Sequence, residues 1–284
     1  MSIVIQHLSF SYNRHTVMET AALNDVSLTV ENGEFLGIMG RTGCGKSSLI
    51  QLIAGLLEPS SGTVLLDGQD IFRSSYDRAV LRRAVGLVFQ YPETQLFETT
   101  VEKDVAYGLK HFGLDKEETE QRVRTALETV GFSFDQIREK SPFGLSGGEK
   151  RRVAIAGILA IRPKYLLLDE PIAGLDPIAR SQFLELLKKL NEEGVTILMI
   201  SHNADAIAAY CGRVVVLEQG QIAADGTPVE LFRDLEKMQK LCVGVPQSRA
   251  LTELLRQRGM DIPADTVSYP ALLEAIVRQK ARRP

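Results

Sequence analysis

Apolar and polar positions alternate along this chain in two rhythms. Ile3 to Phe10 and Leu23 to Val30 run with a period of two and carry β-branched residues, which predicts two strands joined by a polar loop. Phe35 to Met39, Tyr165 to Leu168 and Val195 to Ile200 are continuous apolar runs, the pattern of strands buried on both faces. Gly62 to Gly68 reads as a strand ending in an Asp-Gly turn, Val85 to Phe89 as another, and Arg213 to Glu218 with Gln221 to Asp225 as a closing hairpin. From Glu98 to about Ile161 the period becomes helical. Thr99 and Glu102 have capping-box spacing ahead of Val101, Val105 and Leu109, and a second helix is predicted from Lys116 to Val130. Pro92 to Phe143 contains no convincing strand, so a helical subdomain is expected within an α/β core. Asp176-Pro177 opens a helix through Glu193, with an N-cap and a proline in the first turn, and Thr227-Pro228-Val229-Glu230 repeats that signal.

After Gly226 the composition shifts to short helices separated by Gly244, Pro246, Gly259, Pro263 and Pro270, which predicts a small C-terminal domain. Its final helix is expected to carry Leu272, Leu273, Ile276 and Val277 on one side and Arg278, Lys280, Arg282 and Arg283 near its end. That basic end either complements the helix dipole or contacts anionic lipid.

Length bounds the answer to one large domain or two modest ones: 284 residues, 44% hydrophobic and 24% charged. A net charge of −3 offers no bulk attraction to nucleic acid. The longest apolar runs, such as Val153 to Ile161, fall short of the roughly 18 residues of a spanning helix, so no membrane crossing is expected. The first residues lack a basic flank and a long apolar core, so no signal peptide is expected either. Three scattered cysteines, Cys44, Cys211 and Cys242, fit a reducing cytosol rather than a disulfide framework.

The chemistry concentrates at Gly40-Arg41-Thr42-Gly43-Cys44-Gly45-Lys46-Ser47, between a buried strand and a helix that begins near Ser48. Three glycines let the backbone turn its N–H groups around a phosphate, and the helix aims the positive end of its dipole at the same anion. In such a P-loop Lys46 reaches the β- and γ-phosphates and Ser47 ligates magnesium. Cys44 reads as a tolerated loop residue or as a thiol of lowered pKa. Tyr12, or its competitor Phe10, is a candidate to stack on a base; the alternative is a surface tyrosine. Gln90 ends a strand where a polar residue can face a ligand. Ser146 and Glu149 form a capping box, which accounts for both, but Gly147 and Gly148 cost helix stability unless close backbone approach is needed. A second phosphate fits there. Asp169 and Glu170 end the Tyr165 strand, where open α/β sheets bind ligands; Asp169 suits magnesium and Glu170 suits orienting or deprotonating a water. His202, at the end of the Val195 strand, reads as a γ-phosphate contact or as a core histidine.

Together these motifs resemble the ATP-binding subunit of ATP-binding cassette (ABC) transporters over roughly residues 3 to 235. The resemblance implies an α/β P-loop NTPase with a RecA-like core, an N-terminal antiparallel β subdomain and an inserted helical subdomain at about 91–163. An ATPase domain at 1–225 would precede a C-terminal dimerisation domain at 226–284. It makes Gly40 to Ser47 the Walker A loop, continued by Ser48, and Gln90 the Q-loop glutamine, a magnesium ligand as well as a catalytic residue. Leu145 to Glu149 becomes the signature, Asp169 the Walker B aspartate, Glu170 the catalytic glutamate, Asp176 part of the D-loop, His202 the switch histidine and Tyr12 the adenine-stacking aromatic. Glu149 stands where the family usually has glutamine and Ile172 where it has threonine; neither change removes a phosphate ligand. The run Val88 to Phe97, the helix after the signature and the C-terminal tail resemble the energy-coupling factor (ECF) branch, in its second ATPase type.

By that resemblance ATP and magnesium are the cofactors, and the signature glycines close on the nucleotide of a second, homologous ATPase, head to tail; a heterodimer or a homodimer satisfies this. Hydrolysis would drive uptake of a vitamin or metal ion through a transmembrane T component and a substrate-binding S component, with the chain peripheral on the cytoplasmic side of the cell membrane. Glu93 and Glu98 are candidates to receive basic residues of the T component. The alternatives are another ABC transporter's ATPase and a soluble ABC ATPase acting on nucleic acid or ribosomes. The latter usually carries a long coiled coil or two cassettes, whereas here only about a hundred residues separate Walker A from the signature.

Overall fold

The computed structural model describes residues 2–281, which divide into two compact units, 2–76 with 198–281, and Asp77–Ile197. In the first, β1 (Ser2–Tyr12) pairs antiparallel with β2 (Thr20–Glu31). Along β1 the buried set is Ile3 and Ile5, then Leu8 and Phe10. The strict alternation expected from sequence slips by one residue because the register shifts there and His7 adopts a left-handed φ of 50°. β3 (Phe35–Gly40) is buried throughout and leads into α1 (Lys46–Ile53). β4 (Ser61–Leu66) and the short β5 (Gln69–Asp70) complete a four-stranded sheet in the order β2-β1-β4-β5.

The second unit begins with α2 (Arg78–Ala84), capped by Asp77, and β6 (Val85–Val88). A 3₁₀ turn, Pro92–Gln95, precedes α3 (Val101–Ala106). Thr100 rather than Thr99 caps α3, its hydroxyl accepting from the Lys103 N–H at 3.4 Å. Glu102 is engaged by Arg138 at 3.0 Å, so it closes no capping box. Next come α4 (Lys116–Thr129), α5 (Phe134–Ile137) and α6 (Gly147–Ala160). Phe134 anchors this region, buried with the guanidinium groups of Arg124 and Arg138 at 4.1 and 4.9 Å from its ring. Among the described residues no strand occurs between 92 and 143. β7 (Tyr165–Asp169) pairs parallel with β6, and α7 (Pro177–Glu192) starts where Asp176 and Pro177 predict.

β8 (Thr196–Ile200) is wholly buried. Beyond it the first unit resumes with α8 (Ala204–Tyr210), β9 (Arg213–Glu218) and β10 (Gln221–Gly226). β9 runs parallel to β3 and antiparallel to β10. The predicted capping box at Thr227 and Glu230 opens α9 (Pro228–Arg233), and α10 (Leu235–Lys240), α11 (Gln247–Gln257) and α12 (Tyr269–Ala281) follow. In α12 Leu272 is buried but Leu273 and Val277 are exposed, because consecutive helix positions turn by about 100° and the apolar set splits over two faces. Arg278 pairs with Glu274 one turn back. Arg282 and Arg283 lie outside the described residues.

Candidate active site

In the first unit β3 delivers the chain to the glycine loop, and the loop's shape is enforced from behind. A Cβ on Gly40, at φ +140°, would lie 2.2 Å from the Leu217 carbonyl oxygen of β9; one on Gly45, at φ +104°, would lie 2.3 Å from the Ala22 carbonyl oxygen of β2. Both positions therefore demand glycine. The Gly220 N–H donates to the Cys44 carbonyl at 3.2 Å, so the β9–β10 turn braces the loop from the same side. Gly43, at φ +82°, differs: a Cβ there meets nothing within 4 Å.

The loop closes over Lys46. Lys46 is 6% exposed, and its ammonium donates to the Gly40 and Arg41 carbonyls at 2.7 and 2.9 Å, with the buried Cys44 Sγ at 3.8 Å. No side chain caps α1 and no acidic residue sits in its first turn. The first N–H groups of a helix lack intrahelical partners, so this end offers donors and positive potential beside a buried cation. Those features fit a polyphosphate. Arg41, Thr42, Gly43 and Ser47 are exposed, leaving the Ser47 hydroxyl available as an oxygen ligand of the kind magnesium prefers. Ser48 is buried and its hydroxyl shares a 2.9 Å hydrogen bond with Tyr12 OH.

Of the two aromatics, Phe10 is 7% exposed and belongs to the core, whereas Tyr12 is 41% exposed and meets Phe10 edge-on at 4.8 Å. His202 is exposed, which removes the core-histidine alternative; it lies between the buried Ser201, whose N–H donates to the Ile38 carbonyl, and Asn203, the cap of α8.

In the second unit β7 ends at Asp169, half-buried like Glu170. Glu170 adopts φ +48°, a conformation uncommon for a residue with a Cβ and one that collects at functional sites. Ile172 is 3% exposed, so the residue that departs from the family's threonine serves the core. Gln90 is exposed, two residues past the end of β6 rather than on it.

Ser146 and Glu149 form the predicted capping box: the Ser146 N–H and O–H donate to Glu149 Oε2 at 2.9 and 2.7 Å, and the Glu149 N–H donates back at 3.4 Å. The Ser146 hydroxyl first, then its N–H, hold the Glu149 carboxyl below its ordinary pKa. Gly147 and Gly148 are exposed, and a Cβ on either meets nothing within 4 Å. Ser146, Gly148 and Asp176 line one cavity of about 500 Å³. Asp176 caps α7, accepting from the Ile178 and Ala179 N–H groups at 2.9 Å each.

Glu98, a candidate to receive a basic residue of a partner, is ion-paired with Lys110 at 3.2 Å. What the sequence reading missed is Arg151, described below, and the brace at Leu217 and Gly220. Arg213 to Glu218 and Gln221 to Asp225 read as a closing hairpin, with no signal that its turn touches the loop.

The family model described as ABC transporter matches residues 23–173. The chain is 46% identical over 279 residues to the energy-coupling factor transporter ATP-binding protein EcfA2 of Caldanaerobacter subterraneus subsp. tengcongensis, covering 98% of this chain and 97% of that protein. The chain belongs to the EcfA2 family of ABC transporter ATP-binding proteins. The EcfA2 of Symbiobacterium thermophilum is 47% identical over 276 residues, with 97% and 96% covered. Among solved structures, cbiO1 from Clostridium perfringens, part of the ABC transporter complex cbiONQ, matches at TM-score 0.74 and 37% identity, covering 88% of this chain and 98% of that one. The ATP-binding cassette MJ0796, dimeric and bound to ADP and Pi in a post-hydrolysis state, matches at 0.70 and 28%, covering 80% and 98%. As an EcfA2-family member the chain is an ATP-hydrolysing ABC ATPase with the α/β P-loop NTPase fold. Among its described residues no helix is long and apolar enough to cross a membrane.

Proposed function

We propose that this chain is the second-type ATPase of an ECF importer, converting ATP binding and hydrolysis into uptake of a vitamin or metal ion. The observation that carries the reading is the glycine loop folded over the buried Lys46 ammonium beside an uncapped helix end. Tyr12 stacks on adenine, and residues 40–48 hold the phosphates through backbone N–H groups and Lys46. Ser47, Gln90 and Asp169 would hold magnesium. When bound, that ion supplies charge neutralisation on the β- and γ-phosphate oxygens. Glu170 orients a water and takes its proton as the water oxygen bonds to the γ-phosphorus and the bond to the ADP oxygen breaks. His202 keeps the γ-phosphate in line.

Ser146, Gly147, Gly148 and Asp176 serve the nucleotide held by a second, homologous ATPase arranged head to tail, so that ATP closes the pair and hydrolysis reopens it. A separate helical subdomain at about 91–163 and a dimerising C-terminal domain at 226–284 belong to the same reading. The relatives' names, energy-coupling factor transporter and cbiONQ complex, support a transmembrane T component, an S component that binds the cargo, and a peripheral place on the cytoplasmic face of the cell membrane. No nucleic acid takes part.

Two measurements test this. Lys46→Ala is expected to lose ATP affinity, whereas Glu170→Gln binds ATP and loses turnover by about 10² to 10⁴, the usual contribution of a general base. Affinity purification of the tagged chain from native membranes is expected to recover a homologous ATPase with small membrane proteins. Recovery of ribosomes or DNA without any membrane protein would leave the ATPase standing and sink the transport assignment.

A further inference from the structure

Arg151 sits in the second turn of α6, 6% exposed, and its guanidinium ends on the chain that leaves β7. Nη1 donates to the Ala173 carbonyl at 2.8 Å; Nη2 donates to the Pro171 carbonyl and, at 3.4 Å, to that of Glu170. Three carbonyls within four residues are thus gathered on one side chain, and the first belongs to the residue in the left-handed conformation. The Ala173 N–H closes the turn on the Glu170 carbonyl at 3.1 Å. Strained backbone of this kind persists only where its surroundings over-determine it.

The arrangement carries a cost that packing alone would not incur. Arg151 Nε is buried without a hydrogen-bond partner, and so is Oε2 of Glu93, in the 3₁₀ turn that packs on α6. Burial lowers the guanidinium's pKa, and the charges of Glu93 and then Tyr91 oppose the shift. Removing the guanidinium alone would leave three carbonyls and the Glu93 carboxylate without it, so a fold-holding and a site-holding role are separated by turnover against stability and not by burial. Its planar fork reaches several carbonyls at once, which a lysine's single ammonium does less well.

We propose that Arg151 is a positioning residue: its guanidinium fixes the backbone from Glu170 to Ala173 and so aims the Glu170 carboxylate at the attacking water. This rests on the assignment of Glu170 made above, and the experiment separates the two. Arg151→Gln and Arg151→Lys are made in the full-length chain, purified with its co-purifying subunits, each alone and combined with Glu170→Gln. ATP affinity and steady-state kinetics are measured for each, and single-turnover hydrolysis of radiolabelled ATP reaches the slow variants. Arg151→Gln is expected to lower kcat by about 10- to 100-fold, the scale of a small misplacement of a reacting group, with KM unchanged within about threefold. Arg151→Lys falls between it and the parent, and keeps the test open if the glutamine variant does not fold. On top of Glu170→Gln, either change costs less than about twofold, because the group it aims is already gone. Parental kcat in Arg151→Gln, a loss seen in KM instead, or a full multiplicative loss in the double variant overturns the proposal and leaves Glu170 in place. Parental turnover by Glu170→Gln alone overturns the assignment of Glu170 and the proposal with it.

Discussion

Gly45→Ala and Gly43→Ala separate what the loop needs in order to fold from what it needs in order to bind. Both residues have left-handed φ, +104° and +82°, and an alanine there costs about 1–2 kcal/mol. Only Gly45 faces a wall: its added Cβ would lie 2.3 Å from the Ala22 carbonyl oxygen and 2.7 Å from Leu23 Cδ2. Relieving such overpacking by moving backbone costs a further ~1–3 kcal/mol. The Gly45 variant therefore loses about 2–5 kcal/mol in total, and the Gly43 variant about 1–2. At roughly 2 °C per kcal/mol for a chain of this size, Gly45→Ala should melt about 2–6 °C below Gly43→Ala. Nucleotide affinity should divide the pair the other way. The Gly43 Cβ meets nothing of the chain, so its cost in the free loop is conformational alone; in the proposed phosphate cradle the added methyl crowds the anion, and ATP affinity should fall by at least about tenfold, or 1.4 kcal/mol. Thermal melts without nucleotide and equilibrium ATP titration read the two effects. Equal melting temperatures would refute the packing argument, and undiminished affinity in Gly43→Ala would refute the phosphate cradle.

Asp115→Ala removes the side-chain cap of α4, which accepts the Glu118 N–H at 2.8 Å; chemical denaturation should report a loss of about 1 kcal/mol with ATPase rate unchanged. Glu149→Gln keeps a side chain that can close the capping box but removes a carboxyl whose folded pKa is depressed. A depressed pKa contributes stability above the unfolded value that is lost as pH falls through the folded one, so the variant's melting temperature should fall less on acidification below about pH 4.3. An identical acid limb in the two proteins would count against that linkage.

The buried strands were legible from length and flanks and not from period, since a continuous apolar run has none: Phe35 to Met39 and Val195 to Ile200, too short for a helix and each following a glycine within two residues, appear as β3 and β8, shifted by one residue at an end. Caps were legible where proline fixed the frame, at Asp176 and Thr227, and misplaced at Thr99, where Thr100 could serve equally and only the ion pair of Glu102 with Arg138 reveals the choice. The bulge at His7 was invisible because nothing local marks a register shift that two neighbouring strands impose together. Arg151 was missed for a different reason. In the run Lys150-Arg151-Arg152 it reads as part of a solvated basic face, and its burial depends on where the chain passes some twenty residues later.

Glycines divide by the same logic, and the division points beyond the chain. Gly40 and Gly45 are glycine because carbonyls of this protein lie where a Cβ would go. Gly148 has neither excuse: it lies in the first turn of α6, its φ is not left-handed, and its added Cβ would meet nothing within 4 Å. Alanine there should help the isolated chain, by up to about 1 kcal/mol of helix propensity. Whatever requires glycine must approach from outside, as the nucleotide of a second ATPase does in the proposed closed pair. Gly148→Ala is therefore expected to raise the melting temperature slightly while ATPase turnover falls at least about tenfold, a barrier change near 1.4 kcal/mol. A melting temperature below the parent's would mean that the space around Gly148 is not open. Parental turnover would mean that nothing from outside closes on this helix end, and the head-to-tail pairing would fall with it.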